Sequence, residues 1–166
     1  MQGSASWSFG EQDAKRIDRL LQTFLFESNA RCALIVDRTG QLVTTAGERP
    51  EFDSTAFASL AAADFSANDQ LASMIGEQEF SSLFHQGERE SMYLADVARR
   101  VILVVLFDDR ATLGMIRIKV KTVVRELTGI FQAMFDRGAA GQDERGLETD
   151  WASEAEDEID RLFGNA

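Results

Sequence analysis

Cysteine, proline and histidine each occur once in the 166 residues, as Cys32, Pro50 and His85. A single cysteine excludes an intramolecular disulfide and any multi-cysteine zinc site, and it fits a reducing cytoplasm. A single histidine leaves almost no material for a metal cluster or a Cys/His dyad. Cations are scarce as well: 17 Lys and Arg face 28 Asp and Glu, a formal net charge of −11. Binding to a phosphate backbone needs clustered Lys and Arg, so nucleic acid is not an expected partner. The same shortage argues against a polybasic membrane anchor. There is no run of about 18 apolar residues, so no membrane insertion is expected. The opening segment Met1–Trp7 has no basic stretch followed by an apolar one, so no signal peptide is expected.

Catalytic signatures are missing too. Neither G-x-x-x-x-G-K-S/T, G-x-G-x-x-G nor G-x-S-x-G occurs. Cys32 sits inside an apolar run and reads as an inert core residue. His85, at the end of a strand-like run, reads as a turn or interface residue in preference to a base. Asp108 and Asp109 follow the most apolar strand-like run and read as turn formers near the next helix N-terminus. The expectation is a protein with no catalytic site of its own, no metal and no cofactor.

What is present suffices for a folded body. The length is about one domain's worth, and 45 % of the residues are hydrophobic. The charge is uneven: residues 139–166 hold nine acidic side chains against two arginines, a net of −7, which leaves only −4 for residues 1–138. Three glycines between Gly138 and Gly146 read as a flexible linker. The expected division is a body at 1–137, a linker at 138–150 and an acidic amphipathic helix candidate at 151–166.

Within the body, Ile17, Leu20, Leu21, Phe24 and Leu25 recur at helical spacing, which predicts a helix over 11–29 with a capping box at Ser8 and Glu11. Cys32–Val36 and Gln41–Ala46 read as a hairpin around the turn Asp37–Gly40. After Pro50, Asp53 or Ser54 caps a second helix that runs to Ile75 and stops at Gly76. Phe80–His85, Ser91–Val97 and Val101–Phe107 read as strands, the last apolar on both faces and therefore central. Residues 113–134 carry two signals. Ile116, Ile118 and Val120 alternate like a strand, but the helical period holds for six turns from Leu113 to Met134, and Thr112 can cap it. The longer agreement predicts helix. The fold class is thus α+β, in the order α-β-β-α-β-β-β-α. Short hairpin links make the sheet five-stranded and antiparallel, between helices.

The second helix is unusual. A stripe of Phe57, Leu60, Asp64, Leu71 and Ile75, with Ala61 and Phe65 beside it, is expected to face the sheet. Opposite lie Ser59, Ala62, Ala63, Ser66, Gln70 and Ser73, with no charge and little bulk. Such a face lowers the cost of close approach and reads as a contact surface. In the C-terminal segment, a capping box at Ser153 and Glu156 precedes a stripe of Ala155, Ile159, Leu162 and Phe163, one turn after Trp151. A piece this short does not hold a helix alone in water, so it docks on its own body, docks on a partner, or is disordered. Arg117, Lys121 and Arg125, spaced by four, form a basic stripe that reads either as a solvated face or as its receiver.

Four stretches carry a resemblance. They are Leu34–Leu42; Ser59–Ala63 with Leu71–Glu77; Phe84–Leu94; and Val104–Arg110 with Leu113–Gly114. In order and spacing the chain resembles the Roadblock/LC7 family, and within it the bacterial MglB-like regulators of the Ras-like small GTPase MglA. The resemblance implies the Roadblock/LC7 fold. It implies a homodimer in which the second helix and third strand pair with their mates, with Ala67, Phe80, Leu83 and Phe84 at the interface. It also implies a GTPase-activating protein without an arginine finger, meeting an MglA-like GTPase through Ala62, Ala63, Ser66, Gln70 and Ser73. Roadblock-like proteins also serve as scaffolds that bind without stimulating hydrolysis. A partner contact through Trp151, Ile159, Leu162 and Phe163 is expected of the C-terminal segment. The implied setting is cell polarity and gliding motility in a bacterial cytoplasm, with a cell pole as the place of concentration. Asp64–Phe65 and Asn68–Asp69 depart from the Ala/Gly run common at these positions.

Overall fold

A computed structural model describes the backbone of residues 9–163 and the side chains of residues 9–140. Helix α1 (Glu11–Ser28) buries Ile17, Leu21, Phe24, Leu25 and Ser28, one face of a helical period. Its N-cap is Gly10, without a side-chain cap; Ser8 of the expected capping box lies outside the described residues. It closes on Asn29, whose φ of 57° makes a left-handed cap.

The hairpin follows as β1 (Cys32–Asp37) and β2 (Leu42–Gly47). Asp37 shapes its turn: the carboxylate accepts from the Thr39 and Gln41 amides at 2.9 and 3.1 Å. Gly40 has a φ of 97° there, and a Cβ on it would stand 3.1 Å from the Ser59 backbone. Helix α2 (Ser54–Met74) starts where expected, with the Asp53 carboxylate accepting from the Thr55 and Ala56 amides at 3.0 and 3.2 Å. Strand β3 (Ser82–Gln86) begins two residues after Phe80. Its pairing starts only at Ser82, opposite Ala95, which corrects the expected strand start. Strands β4 (Ser91–Val97) and β5 (Val101–Phe107) match their expected bounds.

The mixed signal after Thr112 resolves as helix α3 (Leu113–Phe163), with the Thr112 hydroxyl accepting from the Met115 amide at 3.2 Å. Ile116 and Val120 are buried, whereas Ile118, the strand-like intruder in the pattern, is 62 % exposed. The helix continues through residues 138–150, where glycines suggested a linker. Ala139, Ala140, Gln142, Glu144, Arg145, Leu147 and Glu148 are strong helix formers and offset the glycine cost of about 1 kcal/mol each. The chain forms two compact units, up to Ile130 and from Phe131 onward.

The first unit holds one antiparallel sheet in the order β2-β1-β5-β4-β3. β1 and β5 are interior strands, and Ala33–Val36 and Val101–Val105 are fully excluded from solvent. α2 covers one face, over Leu34, Val36, Leu94, Ile102 and Val104. α1 packs on β1 and β2, and Lys119 of α3 pairs with Glu27 of α1 at 2.8 Å. No described helix is long and apolar enough to cross a membrane.

Candidate interaction surface on α2 and β3

The side of α2 that meets the sheet is Ala58, Ala61, Ala62, Phe65, Asn68 and Ala72. Their spacing of three and four defines a regular stripe. Of the residues expected to face the sheet, Phe57, Ala61 and Phe65 do so; the larger aliphatic ones do not. Leu60, Leu71 and Ile75 were assigned to the sheet, yet they are 70 %, 59 % and 70 % exposed, and Met74 joins them at 83 %. Ala62, expected on the outer contact face, is 5 % exposed and packs in the core, so it is withdrawn from that surface. The reason is volume. The strands below present Leu, Ile and Val, and the helix approaches them mainly with alanines, with Phe65 buried among them and Phe57 packed at the margin.

The outer side of α2 then carries two flanks. One is apolar: Leu60, Ala67, Leu71 and Met74. The other is small and uncharged: Ser59, Ala63, Ser66, Gln70 and Ser73, all exposed. Ser59 donates to the Gly40 carbonyl at 3.3 Å, which sets this second flank beside the β1–β2 turn. The apolar flank borders β3, because Asp64 reaches His85 of that strand at 2.6 Å.

β3 is an edge strand with a neighbour, β4, on one side only. Such an edge presents unpaired backbone groups. Leu83 is half-buried against the α2 side of the sheet. Phe84 points to the other face, where its ring stacks on Phe107 with centroids 6.1 Å apart and meets Tyr93 at 6.5 Å. Phe80 is half-buried before the strand, and Ala67 is exposed on α2. Thus Ala67 and the β3 edge come together on one surface, while the Phe84 ring does not join it. Trp151, Ile159, Leu162 and Phe163 lie outside the residues whose side chains are described.

A network that sequence reasoning missed fixes α2 in place. Arg38, in the β1–β2 turn, bonds both Asp69 of α2 and Asp96 of β4. Its guanidinium also lies 5.0 Å from the centre of the Phe65 ring. Burial works against this charge, yet the bonds to Asp96 and Asp69 hold Arg38 more firmly protonated than usual. Asn68 beside it is buried, and its amide nitrogen has no partner among the described residues. An Arg in a D-R-T-G turn gives no local hint of carboxylates so far along the chain.

The residues first tested for catalysis take other roles. Cys32 is buried, and desolvation pushes its thiol up to about 11, far from a reactive thiolate. Asp108 accepts from the Arg110 amide and guanidinium at 3.0 Å and is held below its usual range by that arginine. Arg110 in turn reaches Glu48, whose carboxyl is lowered by Arg31 and Arg110. Among the described residues no group of three His, Cys, Asp or Glu is placed to hold a metal.

The Roadblock/LC7 domain family matches residues 16–107, from α1 to the end of β5. That span is more than half the chain and contains the whole surface just described. The chain belongs to the Roadblock/LC7 family. Among solved Roadblock/LC7 structures, Myxococcus xanthus MglB is 40 % identical, covering 71 % of this chain and 96 % of that one with a TM-score of 0.68. The gliding protein MglB of Thermus thermophilus is 29 % identical over 77 % of this chain and 96 % of that one, with a TM-score of 0.70. An uncharacterised protein of Methanocaldococcus jannaschii, MJ1340, is 28 % identical over 116 residues, 69 % of this chain and 99 % of that protein.

Proposed function

We propose that this chain is a non-enzymatic Roadblock-type regulator that acts as a homodimer on an MglA-like small GTPase and stimulates its GTP hydrolysis. The observation that carries the reading is the solvent side of α2. An apolar flank runs beside an open strand edge, and a small, uncharged flank lies next to it. The first suits a mate: Leu60, Ala67, Leu71 and Met74 meet their counterparts while β3 pairs with β3 and extends the sheet. The second, Ala63, Ser66, Gln70 and Ser73, is left for the GTPase. The likeness to the MglB proteins supports the same assignment.

The uncharged flank contains no arginine, so this surface supplies no finger to the γ-phosphate. A partner of this kind accelerates hydrolysis by favouring the GTPase conformation in which its own catalytic Arg or Gln is aligned. The energy for that shift comes from differential contact with the two conformations, for which closely approachable small residues are suited.

The test is single-turnover GTP hydrolysis by an MglA-like GTPase from the same organism. Wild-type protein is expected to raise the rate, and Ser66→Arg with Gln70→Arg to abolish the effect while the dimer persists. No stimulation by wild type, or full stimulation by the double variant, refutes the reading. Binding with unchanged turnover selects the scaffold role instead.

A further inference from the structure

We propose that the cavity between the first turn of α2 and the sheet is a binding site for a compact, uncharged aromatic molecule. The cavity measures about 360 Å³, within the range of sites that hold small ligands. Its apolar walls come from three parts of the chain. Cys32 of β1 and Leu106 of β5 stand opposite each other in the sheet, Pro50 and Phe52 lie in the segment leading into α2, and Phe57 belongs to α2 itself. Cys32, Phe57 and Leu106 also pack in the core under α2, so the cavity opens into that core instead of denting the surface. At its mouth Phe52 is 41 % exposed, with its ring 4.6 Å from that of half-buried Phe57.

The rim decides the charge of the occupant. Arg31 donates to Glu48 at 2.8 Å and to Glu90 of the β3–β4 turn, and Glu48 also accepts from Arg110 at 3.0 Å. These pairs tie the end of β2 to the start of β4 and hold the rim in shape. The carboxylates among them are already met by guanidinium groups. The other two charged lining residues, Arg49 and Glu51, are one of each sign on either side of Pro50. A charged ligand therefore loses hydration against apolar walls without finding an excess of counter-charge. An uncharged ring gains by leaving water, and it meets Phe52 and Phe57 in the offset or edge-on geometries that aromatic pairs favour. Neither GTPase stimulation nor dimerisation is needed for this site.

Indole is the probe, titrated into the full-length chain and followed by the backbone amide shifts. The expected result is saturable shifts centred on Cys32, Phe52, Phe57 and Leu106, with a dissociation constant of about a millimolar or tighter for a ring of this size. Tryptamine and indole-3-acetate, which add one charge of either sign, are expected to bind more weakly by about threefold or more. Cyclohexanol, which lacks a π face, is expected to bind more weakly too. Leu106→Phe builds a ring into the cavity and is expected to abolish the shifts, with circular dichroism to check its fold. Phe52→Ala removes a wall at an exposed position, where the fold tolerates it, and is expected to weaken binding by about three- to tenfold. No saturable shift with indole, shifts centred elsewhere, or affinity unchanged in a folded variant overturns the proposal. Tighter binding of either charged analogue overturns it in favour of an ionic site, and equal binding of cyclohexanol removes the preference for an aromatic ring and overturns it as well.

Discussion

Leu71→Asp tests the assignment of α2's apolar flank to a two-fold contact. Leu71 is 59 % exposed in the protomer and stands in the same flank as Leu60, itself 70 % exposed. Complete burial of a leucine side chain is worth about 1.5–3 kcal/mol, so covering what remains of Leu71 is worth about 1–2 kcal/mol per protomer. A two-fold interface covers two copies, and their loss amounts to about 2–4 kcal/mol per dimer. At about 1.4 kcal/mol per factor of ten, the dissociation constant rises by roughly 30- to 700-fold. The introduced carboxylate adds a desolvation cost, so this range is the lower side of the expected effect. Sedimentation equilibrium over a concentration series measures it, with circular dichroism to verify the fold. Because the residue is exposed before association, the protomer itself is expected to stay folded. An unchanged mass-against-concentration curve for the variant, or a wild type that is monomeric at every concentration, refutes the reasoning.

Three further outcomes are expected. Arg38→Ala leaves Asp69 and Asp96 without their shared partner in a part-buried site, and should cost about 1–3 kcal/mol in urea unfolding, less than a fully buried pair because solvent still reaches it; Arg38→Lys should recover little, since one ammonium cannot fork to two carboxylates over the Phe65 ring. Ala98→Gly should stabilise the fold by about 0.5–1 kcal/mol, because Ala98 sits at a φ of 55° in the β4–β5 turn, where glycine is unstrained; a lower melting temperature contradicts this. Glu48 and Asp108 are both depressed below their ordinary values of 4.5 and 3.8, so their stabilisation is complete above those values and is lost as pH falls toward the lowered folded ones. Arg110→Ala should flatten that acid loss in a series of melting curves taken from neutral pH downward.

Local patterns made most of the element order readable in advance. β4 and β5 matched their expected bounds because continuous or alternating apolar runs between turn residues leave little freedom of assignment. Helix α3 was legible over a competing strand signal because a six-turn period outweighs a five-residue alternation. The facing of α2 was not legible. Ala58, Ala61 and Ala72 compete with Leu60 and Leu71 for the sheet, and a ranking by hydrophobicity favours leucine. The outcome depended on the bulk of the strands beneath, which no window along the helix contains.

By itself the sequence determined the elements, their order, the antiparallel sheet with β5 inside it, and an uncharged outer flank on the second helix. Those follow from period, turn chemistry and composition, which are properties of neighbouring residues. Only the tertiary structure decided which way α2 turns, that Ala62 belongs to the core, and that four large apolar side chains remain outside. It alone joined Arg38 to Asp69 and Asp96, 31 and 58 residues away. The physical reason is the same in each case. Packing volume and ion pairing act between segments distant in sequence, so they are settled only when those segments meet.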